Sequence, residues 1–245
     1  MHNYKFMLIF NRLTKNIALF CLSFLCLIAH SFAVVNVEGT RAVFNSGDNV
    51  VSMRLVNSGN EPSVVQIWTD EGDPLAAPQD SRTPVIALPP VFSIQPGEIK
   101  SVNLQLVSPD KILKDRESLY WLNIYQIPPR SKMDDNEQRV FLPLRFRLKV
   151  FVRPENIPVL EEEDGEKINF AVVYMNNKET LAIKNPTPWH MNIGELNIDG
   201  EIFGGLVVSP YSDSQITLSD KSKKARSIRY SVINDDGNKW FYHKI

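Results

Sequence analysis

Residues 139–153 read "RVFLPLRFRLKVFVR". Val140, Leu142, Leu144, Phe146, Leu148, Val150 and Val152 fall on one face of an extended chain. Arg139, Phe141, Pro143, Arg145, Arg147, Lys149, Phe151 and Arg153 fall on the other. A period of two marks a β-strand, because successive side chains leave a pleated backbone on opposite sides. Most strands stop after about 5–6 residues, whereas this alternation runs for 15. Pro143 has no N–H for a ladder bond, which assigns the stretch to a sheet edge. A long apolar edge invites aggregation, so a chain that keeps one must have a use for it.

The first 33 residues stand apart from the fold. Lys5, Arg12 and Lys15 precede an apolar run from Ile17 to Ile28, followed by "AHSFA" ending at Ala33. This is the pattern of a secretory signal peptide cleaved after Ala33. Its apolar run is shorter than the ~20 residues of a membrane span. Both cysteines, Cys21 and Cys26, lie in this leader, so the mature chain has none. An exported chain without disulfides depends on hydrophobic cores for stability. Residues 34–245 suffice for two domains of about 100 residues each. The leader holds three of the 27 Lys and Arg and none of the 28 Asp and Glu, which leaves the mature chain at a formal −4. That balance argues against nucleic acid as a partner.

The mature sequence reads as β almost throughout. Segments 34–44, 50–57, 63–70, 98–107 and 118–127 are rich in Val, Ile and aromatic residues and are bounded by turns such as "NSGDN", "NSGNEP" and "QPGE". With the opening stretch, about seven strands in 120 residues predict an antiparallel sandwich of immunoglobulin type. At Arg153-Pro154 the pattern breaks into "RPENIPVLEEEDGE", a linker with a solvated acidic loop. Strands resume at 168–175, 180–185, 190–198, 204–210, 214–219, 227–234 and 239–245, which predict a second β-sandwich. The expected division is a leader at 1–33, a first domain at 34–153 and a second at 154–245.

Nothing in the chain assembles into catalytic machinery. Outside the leader only His190 and His243 remain, and neither has a partner at metal-ligand spacing. There is no Gly-x-Ser-x-Gly, and "FGGL" at 203–206 is too short to cradle a phosphate. No enzyme, metal or cofactor is expected, and His190 reads as a surface or partly buried structural residue.

Six segments, in order, resemble the PapD-like family, the periplasmic chaperones of chaperone–usher pilus assembly. They are "GTRAVF" (39–44), "PVIALPPVFSIQPGE" (84–98), "DRESLYWLNIYQIPPR" (115–130), "LKVFVRP" (148–154), "NPTPW" (185–189) and "VINDDG" (232–237). The loop after "IPP" is short, which resembles the subgroup that assembles rod-like pili with tip adhesins. Two features depart from the family pattern: the chain ends soon after "VINDDG", and Pro143 lies in the long strand.

The resemblance implies two immunoglobulin-like sandwiches set at an angle that forms a cleft. It implies a long strand donated to a pilus subunit, an immunoglobulin-like domain lacking its last strand. Val140, Leu142, Leu144 and Phe146 match the donated positions, and Arg41 and Lys149 match the pair that grips the subunit's C-terminal carboxylate. Glu117, Arg153 and Asp235 match an interdomain salt bridge, taken from the sequence as an exposed set that fixes the angle between domains. The implied partners are pilus subunits and an outer-membrane usher, and self-association of the free protein stays open. Two other readings fit the residues alone: a secreted structural or adhesive protein, and a module binding a small ligand in the interdomain cleft.

Overall fold

The computed structural model describes residues 35–127, 143–175, 178–219 and 227–244. The sequence readings that fall elsewhere lie outside the described residues. These are the leader, the loop 128–142 with its subgroup reading, and the donated positions Val140 and Leu142.

Two sheets face each other in the first sandwich. One has the order β1 (Val35–Val37), β3 (Val50–Asn57), β7 (Ile99–Leu106) and β5 (Val85–Leu88). The other has the order β2 (Arg41–Phe44), β9 (Leu144–Val152), β8 (Ser118–Ile127), β4 (Ser63–Asp70) and β6 (Val91–Ile94). The inward rows of both sheets, including Val35, Phe44, Leu55, Ile94, Leu104, Leu122, Ile124 and Val150, form one core. Each such side chain, fully buried, stabilises the fold by roughly 1.5–3 kcal/mol, which explains how a chain without disulfides holds together.

Two stretches each change sheets, one read from the sequence as a single strand and one carrying a pair of prolines. "VVNVEGTRAVF" divides into β1 in one sheet and β2 in the other. The turn passes through Gly39 at φ +86°, a conformation open to glycine and costly for other residues. "VIALPPVFSI" divides into β5 and β6 at the two prolines, which cannot supply ladder N–H groups. A strand that crosses between sheets ties the two layers together and closes the end of the sandwich.

Of the opening stretch, residues 143–153 are described. Its described strand begins at Leu144, so Pro143 stands just before the described ladder. On one side β9 pairs antiparallel with β8 along its whole length, from Gln126↔Leu144 to Ser118↔Val152. On its other side β2 pairs with it in parallel over Lys149–Val152 alone. It is therefore an interior strand at one end and, among the described residues, an edge from Leu144 to Leu148.

The second sandwich packs a three-stranded sheet, β10 (Asn169–Met175), β11 (Lys178–Asn185) and β14 (Ser212–Thr217), on a four-stranded one. The four-stranded sheet has the order β13 (Glu201–Val208), β12 (Met191–Ile198), β15 (Ile228–Ile233) and β16 (Lys239–Lys244). Ile168, Leu181, Ile183, Met191, Ile193, Leu196 and Val232 are its buried centre. The acidic run expected as a solvated loop is instead one helical turn, α1 (Glu162–Gly165). The Asp164 carboxylate is buried there and accepts from the Glu161 N–H at 2.9 Å and from Lys167 Nζ at 2.6 Å. This turn anchors the last strand: Tyr242 Oη donates to the Glu162 carbonyl at 2.7 Å, and its ring stacks on Tyr230 with centroids 4.9 Å apart. Gly165 leaves room for that ring, since a Cβ there would lie 2.3 Å from Tyr242 Oη.

Candidate functional site

Along the inward row of β9 the environment changes from core to solvent. Val152 and Val150 are fully buried, Leu148 packs against the core from a half-buried position, and Phe146 and Leu144 are 37% and 42% exposed. The cause is topological. Beyond Lys149 no described strand covers the free side of β9, and the sandwich beneath opens. Two large apolar side chains thus stand on an unpaired backbone edge, a combination that matches strand addition.

Arg41 and Lys149 are register partners across the parallel β2–β9 pair, so their side chains leave the same face next to each other. Both are partly buried against the second sandwich. Arg41 Nη1 donates to the Ile233 carbonyl at 3.1 Å, its guanidinium lies 5.9 Å from the Phe151 ring centre, and its buried Nε has no hydrogen-bond partner. Lys149 Nζ donates to Asn192 Oδ1 at 2.8 Å and lies 5.8 Å from the Trp121 ring centre. Asn192 is aimed by its own Nδ2, which donates to the His190 carbonyl at 3.0 Å. Burial, and then the neighbouring Arg41, hold the Lys149 ammonium below the ordinary lysine range. Burial likewise lowers Arg41, opposed by the carboxylates of Asp235 and Glu117. Among the described residues neither cation has a carboxylate within salt-bridge distance. Two adjacent, desolvated cations and an unpartnered N–H offer the donors that a carboxylate with several acceptor sites can use.

Glu117, Arg153 and Asp235 come together, with Glu117 and Arg153 buried and Asp235 partly exposed at 25%, where the sequence reading had an exposed set. The Arg153 side chain is 2% exposed and that of Glu117 1%. Arg153 Nε donates to Glu117 Oε2 at 2.9 Å, and its two terminal nitrogens fork onto Asp235 at 2.6 and 2.7 Å. Asn45 Oδ1 accepts from Arg153 Nη1 at 2.9 Å. The remaining Glu117 oxygen accepts from the His190 N–H at 2.9 Å and lies 3.0 Å from His190 Nδ1. The second sandwich packs over this set, and that packing excludes the water that spacing alone would allow. His190, read as a surface or partly buried residue, is buried and part of the network.

Asn192 and the Ile233 carbonyl had no signal in the sequence. They reach the cations through contacts between sandwiches, and a lone amide or a backbone carbonyl has no pattern to find. Among the described residues no cluster of His, Cys, Asp or Glu is arranged to hold a metal.

Residues 34–158 match the family described as pili and flagellar-assembly chaperone, PapD N-terminal domain. Residues 164–243 match pili assembly chaperone PapD, C-terminal domain. The chain is 30% identical over 215 residues to the probable fimbrial chaperone YadV of Escherichia coli, covering 84% of this chain and 87% of that one. It is 28% identical over 211 residues to the chaperone protein FimB/FhaD of Bordetella pertussis, covering 82% and 83%. Its fold is similar to the crystal structure of the YadV chaperone, with a TM-score of 0.70 and 27% identity over 86% of this chain and 98% of that one. It is also similar in fold to a Salmonella enterica SafA pilin in complex with the SafB chaperone, with a TM-score of 0.75 and 22% identity over 89% and 98%.

Proposed function

Since this chain belongs to the PapD family of pili assembly chaperones, we propose that its open strand edge and its paired cations are two parts of one device for holding a pilus subunit. Chaperoning of pilus subunits follows from the family. The division of labour within the chain is our reading. Leu144 and Phe146, continued by Val140 and Leu142, fill the groove of a subunit that lacks a strand. Burial of each is worth roughly 1.5–3 kcal/mol. Arg41 and Lys149 take the subunit's C-terminal carboxylate and set the register, which matters because a slip of one residue turns the wrong face inward. The observation that carries this reading is the continuity of β9. The same strand holds Lys149 at its paired end and exposes Leu144 and Phe146 on an unpaired edge five and three residues away.

Glu117, Arg153 and Asp235, with His190, hold the second sandwich where Asn192 and the Ile233 carbonyl reach the cations. In this reading residues 1–33 are a leader that delivers the protein to the periplasm, residues 34–153 capture the subunit, and residues 154–245 complete the anion site. The loaded chaperone passes its subunit to an outer-membrane usher, and no catalytic step is involved. The test is co-expression with exported subunits encoded beside this chain, followed by purification. A one-to-one complex that Arg41→Ala and Lys149→Ala abolish supports the reading. A complex indifferent to both would remove the anion site from it.

A further inference from the structure

The exposed half of β9 poses a mechanical question. From Leu144 to Leu148 it is bonded, among the described residues, on one side only, and Leu144 and Phe146 are more than a third exposed. A strand so placed would be expected to fray. What holds it lies on the opposite face.

There Arg145 sets Nε and Nη2 on Asn123 Oδ1 at 2.9 and 2.7 Å, and reaches the carbonyls of Pro74 at 2.7 Å and Ala76 at 3.2 Å. Its guanidinium lies 4.7 Å from the Trp68 ring centre. Arg147 donates to Asp70 Oδ1 at 2.6 Å and to Asn123 Oδ1 at 3.2 Å, and lies 4.8 Å from the Trp121 ring centre. Asp70 and Asn123 are buried, and Asn123 Nδ2 closes the set by donating to Asp70 Oδ2 at 2.6 Å. A buried carboxylate and a buried amide on β4 and β8 thus receive two forked cations from β9, each seated on a tryptophan. The set is specific to register, because a slip of two residues would put either Pro143 in the place of Arg145 or Lys149 in the place of Arg147, and neither offers a guanidinium fork.

We propose that Arg145 and Arg147 are positioning residues for subunit capture. They clamp the free half of β9 from its outer face, so that Leu144 and Phe146 are presented on a preformed, registered strand. The proposal rests on the donated-strand reading above. Preorganisation acts by removing the ordering cost from the binding step, so the clamp should show in the rate and strength of capture rather than in whether the protein folds.

The test uses the full mature chain and the exported subunits encoded beside it. The variants are Arg145→Gln, and Arg147→Gln combined with Asp70→Asn so that no buried carboxylate is left without its cation. Hydrogen exchange is measured on the free protein and capture on the complex. The expected result is faster exchange at Leu144–Leu148, unchanged exchange at Val150–Val152 and in the second sandwich, and capture weakened about tenfold or more. Arg145→Lys, which keeps the charge without the fork, should recover only part of it. Unchanged exchange at Leu144–Leu148 would overturn the clamp. Faster exchange with undiminished capture would show a merely structural network and overturn the positioning role. A wild type that captures no exported subunit would overturn the donated-strand reading and this proposal with it, an outcome distinct from the other two.

Discussion

Lys149 is a cation held where charge is costly, and that cost has a measurable sign. Burial and the adjacent Arg41 set its folded pKa below the ordinary value, so between that lowered value and the unfolded one the unfolded chain binds more protons. Stability of the free protein should therefore rise with pH through this window. Carboxylate capture should fall over the same window as the ammonium loses its proton. Lys149→Met should flatten both trends, and comparison of melting and capture across pH for the two proteins checks it. Leu144→Glu and Phe146→Glu belong at the same scale. Both positions are more than a third exposed, so the melting temperature should stay within a few degrees of wild type. Subunit capture should be lost, because a carboxylate would enter an apolar groove at a cost of several kcal/mol. A large drop in melting temperature would instead place these side chains in the protein's own core. The apolar row was legible in the sequence, because alternation is local, whereas Arg41 and Lys149, 108 residues apart, were paired only by the family resemblance. Asn192 and the carbonyl of Ile233 were not legible, because they meet the cations only after two sandwiches have packed.

At the scale of elements, β9 owes its two characters to its neighbours. The alternation in "RVFLPLRFRLKVFVR" announced a strand and its faces, and the faces hold: Leu148, Val150 and Val152 turn inward while Arg145, Arg147 and Lys149 turn outward. The point where the edge becomes interior could not be read from it. That depends on β2 arriving in parallel beside Lys149, and β2 exists as a separate strand because the chain changes sheets at Gly39. Gly39→Val should strain that turn by about 1–2 kcal/mol and loosen β2 from β9. Its signature would be faster hydrogen exchange at Arg41–Phe44, with β3 and β7 unaffected. Equal protection in variant and wild type would show that the turn does not govern the pairing.

For the whole molecule, the Arg153 network joins the two sandwiches and holds Asn192 and the Ile233 carbonyl against Lys149 and Arg41. The family resemblance pointed to Glu117, Arg153 and Asp235, but the burial of Glu117 and Arg153 emerged only in three dimensions, and with it the scale of the effect. Removing one partner of a buried pair leaves the other uncompensated and costs about 3–5 kcal/mol, whereas an exposed pair is worth about 0–1 kcal/mol. Arg153→Ala should accordingly lower the unfolding free energy by several kcal/mol in denaturant titration. Asp235→Asn, which leaves Arg153 bonded to Glu117 and Asn45, should cost less and broaden the scattering profile of the free protein. A loss below 1 kcal/mol for Arg153→Ala would return the set to the status of surface charges.

The central claim is that β9 enters a subunit groove by its apolar face, and the absence of cysteine from residues 34–245 gives direct access to it. Phe146→Cys and Arg145→Cys each introduce a single thiol, on opposite faces of the same strand. Each is purified with a subunit carrying one cysteine in its open groove, and disulfide formation is measured in the assembled complex. The account expects rapid, near-complete crosslinking from residue 146 and none from residue 145. Crosslinking from residue 145, or equal yields from both, would contradict it.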